Sequence, residues 1–163
     1  ANTTITWLPQ EANLPSNFQS VGADFGDAFS LLDFTIQQSE AKAGEMLAVT
    51  LVWQVNTADI AMPSPTAADP LAAFIHVSSV DDPSDIVAQY DGWETALTGL
   101  EPGDIITTTV QFQIPEDTPP NSYQLHVGLY SPQSLQRLPV TWAGETNDSV
   151  ALAPVTIAAA DSQ

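Results

Sequence analysis

The sequence predicts an all-β fold: an antiparallel two-sheet β-sandwich, Ig-like or jelly-roll-like, of about eight to ten strands. Three observations lead there. Several segments alternate with a period of two, most clearly Leu47, Val49, Leu51, Trp53 and Val55, interleaved with Ala48, Thr50, Val52 and Gln54. That period gives a strand one buried and one wetter face. Proline, glycine and Asx residues punctuate the chain between such segments, as turns require. No stretch of ten or more residues combines a 3.6-residue period with caps, and the alternation speaks against a parallel sheet, whose strands are apolar throughout.

Each element follows from local chemistry. Residues 1–27 are the least regular part, with short strands at 3–7 and 18–21 separated by Pro9 and Pro15. Residues 28–37 form a strand with Leu32, Phe34 and Ile36 on one face. Gly44 ends a turn, and the next strand carries Trp53 on its core side. Residues 56–70, with Pro63, Pro65 and Pro70, make a long loop because proline cannot donate to a ladder. Residues 71–79 and 86–90 form a hairpin closed by 80–85. The turn 100–104 leads into a strand ending at Ile114, and a proline-rich connection leads to the strand 123–130. Ser131 and Pro132 stop that strand. Residues 137–142 make a short edge strand, 149–157 close the set, and 158–163 are a frayed tail.

The chain has 163 residues, enough for one domain (1–163) with a sizeable core. Its charge balance is unusual: 20 acidic residues against two basic ones, Lys42 and Arg137, for a net charge of −18. The imbalance comes from missing lysine and arginine. Nucleic acid is therefore excluded as a partner, because phosphate binding needs several cations. Docking on an anionic membrane is disfavoured too, and the apolar runs are far short of the ~20 residues a membrane helix needs. Self-repulsion predicts a monomer in isolation. With no cysteine, a disulfide framework and a thiolate metal site are impossible. Low lysine, many prolines and much threonine and glutamine lean toward an extracytoplasmic setting. The chain begins at Ala1 without a basic and then apolar leader, so it reads as a mature secreted product or a fragment of something larger.

No catalytic constellation is visible. There is no G-x-S-x-G elbow, the 20 acids single out no glycosidase pair, and residues 22–27 are turn-like rather than a phosphate cradle. The expectation is a domain that is not an enzyme. His76 and His126 both fall on the face opposite the core residues of their strands, and two histidines alone do not complete a zinc site. If Val80 pairs with Asp85, His76 lies across from Gln89 and diagonal to Asp91. A carboxylate there would raise the histidine pKa and brace the hairpin. Asp81, Asp82 and Asp85 gather three carboxylates in one turn and are the candidates for calcium, the one cofactor considered. Trp7, Trp93 and Trp142 lie in or near loops, where an indole either stacks on a sugar or caps an open sandwich end. The candidate ligand-binding residues are Trp93, Trp142, Tyr90, His76 and Asp91.

Four stretches carry a family resemblance. They are Ala43-Gly44-Glu45 with the strand ending in Trp53-Gln54; Phe74-Ile75-His76-Val77 with Val87 to Gly92; Leu100-Glu101-Pro102-Gly103-Asp104; and Ile114-Pro115 through Tyr123-Gln124-Leu125-His126-Val127-Gly128-Leu129-Tyr130 to Arg137-Leu138-Pro139. Over residues 28–157 the chain resembles the extracytoplasmic C-terminal β-sandwich domain of bacterial, Chloroflexi-type, membrane glycosyltransferase-like proteins. It departs from them at Asn121-Ser122, where they carry Pro-Gly, and in the insertion at 56–70. The resemblance implies a non-catalytic accessory or interaction domain of a larger membrane-associated protein, with a glycan or a protein as partner and any transferase chemistry in the parent. The alternative is a carbohydrate-binding module using exposed aromatics.

Overall fold

The computed structural model describes residues 18–57, 71–92 and 100–161, together with the strand path of residues 2–8. Among them lie twelve strands and no helix: β1 (Asn2–Leu8), β2 (Gln19–Phe25), β3 (Phe29–Ile36), β4 (Glu40–Lys42), β5 (Met46–Val55), β6 (Ala72–Ser79), β7 (Ile86–Gly92), β8 (Ile105–Gln113), β9 (Asn121–Tyr130), β10 (Val140–Trp142), β11 (Glu145–Asn147) and β12 (Val150–Ala158). They build two sheets. One has seven strands in the order β1-β8-β5-β3-β2-β10-β11, the other five in the order β4-β12-β9-β6-β7. The fold is thus an all-β sandwich. Every pairing is antiparallel except β4 with β12.

The strand count exceeds the expectation because β4 and β11 have three residues each, too few to show a period. The part expected to be irregular holds two full strands. In β3 a register shift between Leu31 and Asp33 resets the alternation, so Leu31 is buried and Leu32 turns half outward. A bulge of this kind defeats a strict period-two reading. At the other end, Lys42 Nζ pairs with Asp161 at 2.8 Å, which ties down part of the segment expected to fray.

The core lies between the sheets. From the seven-stranded sheet come Leu47, Val49, Leu51, Trp53 and Val55 of β5, with Ile106, Val110 and Phe112 of β8 beside them. From the other sheet come Ile75 and Val77, facing Val127 and Leu125 in register. Trp53 is fully buried and takes the edge of the Phe25 ring at 5.0 Å. Tyr123 sits inside the start of β9, and its hydroxyl donates to the Pro119 carbonyl at 2.7 Å. That is the tyrosine-corner device of Ig-like sandwiches, which fixes the turn into a strand.

Residues 131–142 position the site. After β9 the chain folds back along its own strand: Arg137 bridges to Tyr130, and the Leu138 amide donates to the Leu129 carbonyl at 2.8 Å. It then crosses to the other sheet, where Val140 pairs with Phe25. The expected edge strand at 137–142 is therefore a crossover, with only Val140–Trp142 in a ladder.

Candidate functional site

The outer face of the five-stranded sheet carries side chains that the alternation alone does not explain. On β6, Phe74 and His76 point away from the core, opposite in phase to Ile75 and Val77. Phe74 is nevertheless only 2% exposed. Two features bury it. Its cross-strand partner is Gly128, and a Cβ at that position would run into the far edge of the Phe74 ring. The missing side chain lets the ring lie across β9, the way an aromatic shields a strand glycine. Above it, the Arg137 guanidinium carbon stands 4.4 Å from the ring centroid, a cation–π contact. The His76 ring packs beside Phe74 at 4.5 Å and the Tyr130 ring at 6.1 Å.

The segment 131–139 holds Arg137 in place. The Ser131 amide donates to the Gln136 carbonyl at 2.9 Å, and the Leu135 amide donates to the Ser131 carbonyl at 2.8 Å. Leu135 adopts φ +59° and is 73% exposed. Arg137 Nη1 donates to Asp148 Oδ2 at 3.1 Å. The guanidinium stands between two open clefts. One, of about 390 Å³, is lined by Phe74, His76, Pro83, Ser84, Ile86, His126, Arg137, Asp148 and Ser149. The other, of about 370 Å³, has Phe74, His76, Asp91, Tyr130, Leu135 and Arg137. Both histidines of the chain and one of its two basic residues thus share one patch.

His76 and His126 are direct cross-strand partners on this face. Burial lowers the pKa of both. At His76, Asp91 pushes the other way, while Arg137 and His126 add to the lowering. At His126, Asp148 opposes burial and Arg137 adds to it. His76 faces Gln89 as expected, with its Nε2 4.0 Å from Asp91 Oδ1, although the turn is registered one residue off the expected Val80–Asp85 pair and a bulge between Val77 and Ser78 restores the match. The expected rise in pKa is corrected, because a partly exposed carboxylate at that distance does not offset the desolvation of the half-buried ring. The surroundings of His76 are also richer than the hairpin alone implied, since they form a cleft.

Other expected site residues fall elsewhere. Tyr90 points inward and packs against the core, so it is not on this face. Trp142 lies on the seven-stranded sheet at 37% exposure, with its indole nitrogen donating to the Val21 carbonyl at 3.1 Å. Trp93 is outside the described residues, as is the side chain of Trp7. Asp82 is engaged inside its own turn, where Oδ1 accepts from the Ser84 amide at 3.0 Å and from the Ser84 hydroxyl at 2.6 Å. Those bonds lower the Asp82 pKa. Among the described residues no group of three His, Cys, Asp or Glu side chains is placed to hold a metal ion.

Sequence reasoning passed over Phe74, His126 and Arg137 as parts of one site. A signal was present: Phe74 is an apolar residue, and Gly128 a vacant one, each at an outward position of a clear strand.

No family model matches the chain, and no curated protein matches it in sequence. Solved structures do. The C-terminal domain of wzt superimposes with a TM-score of 0.57 at 12% identity, over 89% of this chain and 83% of that one. This likeness is one of fold. A Niemann-Pick type C2 protein from the Japanese carpenter ant aligns at 12% identity and a TM-score of 0.48, over 86% of this chain and 98% of that one. Among the described residues no helix is long and apolar enough to cross a membrane.

Proposed function

We propose that this chain is a non-catalytic accessory domain that binds a carbohydrate in the clefts around Arg137. The observation that carries the reading is the stacked group of Phe74, His76 and Arg137, held on the outside of a sandwich whose own core is already complete. A sugar presents apolar ring faces and a fringe of hydroxyls. Aromatic edges with planar hydrogen-bonding groups match that mixture, and pockets that bind small molecules combine apolar walls with a few placed polar groups. The Ser84 hydroxyl in the lining donates to Asp82 rather than to a histidine, which supports binding over nucleophilic chemistry. The structurally similar wzt domain is itself the C-terminal part of a larger protein, which supports an appended role. The scarcity of lysine supports an extracytoplasmic setting, as does the resemblance to the C-terminal domains of membrane glycosyltransferase-like proteins.

An oligosaccharide array probed with wild type, Arg137→Ala and Trp142→Ala tests the reading. Binding by wild type that is lost in Arg137→Ala and kept in Trp142→Ala is the expected result. Binding lost only in Trp142→Ala would move the site to the other sheet, and no binding to any sugar would remove the reading.

A further inference from the structure

The charges around Arg137 are balanced so that the patch changes sign. Every element packed against the two histidines contributes. The crossover supplies the Arg137 cation. β7 supplies Asp91, and the turn before β12 supplies Asp148, both carboxylates. β9 adds Tyr130, β12 adds Ala151, and the β6–β7 turn adds Pro83 and Ser84, none of them charged; the carboxylates of that turn, Asp81, Asp82 and Asp85, line neither cleft, and Asp82 is engaged by Ser84. With neutral histidines, one positive group faces two negative ones. With both histidines protonated, three positive groups face two. Elsewhere the chain carries a large negative excess, and its other basic residue, Lys42, is paired with Asp161 on β4.

We propose that the clefts take a carboxylate-bearing sugar, held by Arg137 together with protonated His76 and His126. This rests on reading the clefts as a carbohydrate site and names the class of sugar. The geometry supports it in two ways. Arg137 spends one nitrogen on Asp148 and lays its carbon over Phe74, while a guanidinium has five donors in a planar fork. Its remaining donors suit a carboxylate, which accepts in pairs. The histidines are cross-strand partners at the same level of the sheet, so an anion seated against one is within reach of the other. Burial keeps both rings neutral near neutral pH, so the anion and the two protons bind together. By linkage, the sugar raises the histidine pKa values as much as protonation raises the affinity.

The test is an array of uronic-acid and neutral oligosaccharides, probed at about pH 7.5 and about pH 5.5, on either side of the ordinary histidine value. Wild type should bind uronic-acid sugars about tenfold or more tightly at the lower pH, with neutral sugars unaffected. His76→Gln/His126→Gln should lose that pH dependence, and its thermal melt at the higher pH checks that it folds. Neutral sugars bound equally at both pH values, with no gain for the acidic ones, would overturn this proposal and leave the carbohydrate site standing. Absence of binding to either class would overturn both.

Discussion

The two outer faces of the sandwich obey the same alternation and come out differently. On the seven-stranded sheet, the outward positions of β3, β5 and β8 are Thr35, Thr50 and Thr109, aligned side by side across three strands. Thr50 and Thr109 share a hydroxyl–hydroxyl hydrogen bond at 2.9 Å and stay half-buried. These are small, uncharged β-branched residues that suit a pleated, half-wet surface, and the alternation explains them fully. On the five-stranded sheet, the corresponding outward row across β6 and β9 is Phe74 and Gly128, then His76 and His126. Here an aromatic is buried on the wrong side of its strand, which a free surface does not produce. The burial exists because the chain returns after β9 and places Arg137 over the ring. Val52, next in the outward row to Thr50, is also fully buried, so burial alone does not separate the two faces; what separates them is the return of the chain over Phe74, which adds a layer and its clefts.

The comparison can be broken by substitution. The largest effect should come from Phe74→Ala. If the ring is a true core element on the outer face, its loss should cost about 3–5 kcal/mol, the range expected for Trp53→Ala in the central core. Urea melts of both variants decide it, and a Phe74→Ala loss under about 1 kcal/mol would mean that the layer is ornamental. Gly128→Ala should come next, at about 1–3 kcal/mol, because the added methyl meets both the Phe74 ring and the Asp148 carbonyl, 3.0 Å away. The same melts should show it partly rescued by Phe74→Leu, whose side chain is smaller.

Acidification should separate the faces more gently. Histidines whose folded pKa lies below the unfolded value contribute stability that is present above about pH 6.5 and lost as pH falls through the lower folded value. Melts from about pH 7.5 to 5 should show that decline, and His76→Gln/His126→Gln should flatten it. An unchanged slope in the double variant would place the titration in other groups. The smallest effect belongs to the threonine face: Thr50→Val should shift stability by no more than about 0.5–1 kcal/mol in the same assay.

Much of this was legible in the sequence. In the hairpin 71–90 His76 stands beside Gln89 and diagonal to Asp91 as expected, but the turn pairing of Val80 with Asp85 is not formed: Ser79 takes that place, and a bulge at Val77–Ser78 offsets the difference. Trp53 was legible as core from its phase alone. What escaped were long-range effects. The bulge at Leu32 breaks a period that only the neighbouring strand reveals. The return of 131–139 over β9 depends on tertiary packing, so Arg137 read as part of an edge strand. The sign of the His76 shift depended on how deeply the ring is desolvated, and register does not contain that. Tyr90, a candidate ligand-binding residue beside Asp91 in sequence, faces the core instead, because adjacent strand residues face opposite ways.

The most direct test of the central claim is where a sugar lands. Backbone amide NMR of the wild-type chain, titrated with the tightest-binding oligosaccharide of the array at about pH 5.5, gives a map by residue. The expected map is one continuous patch over Phe74 to His76, His126 to Tyr130 and the crossover around Arg137, with Thr35, Thr50 and Thr109 unmoved. Shifts centred on Trp142 and β2, or on the threonine row, would contradict the assignment of the five-stranded sheet's outer face as the binding surface.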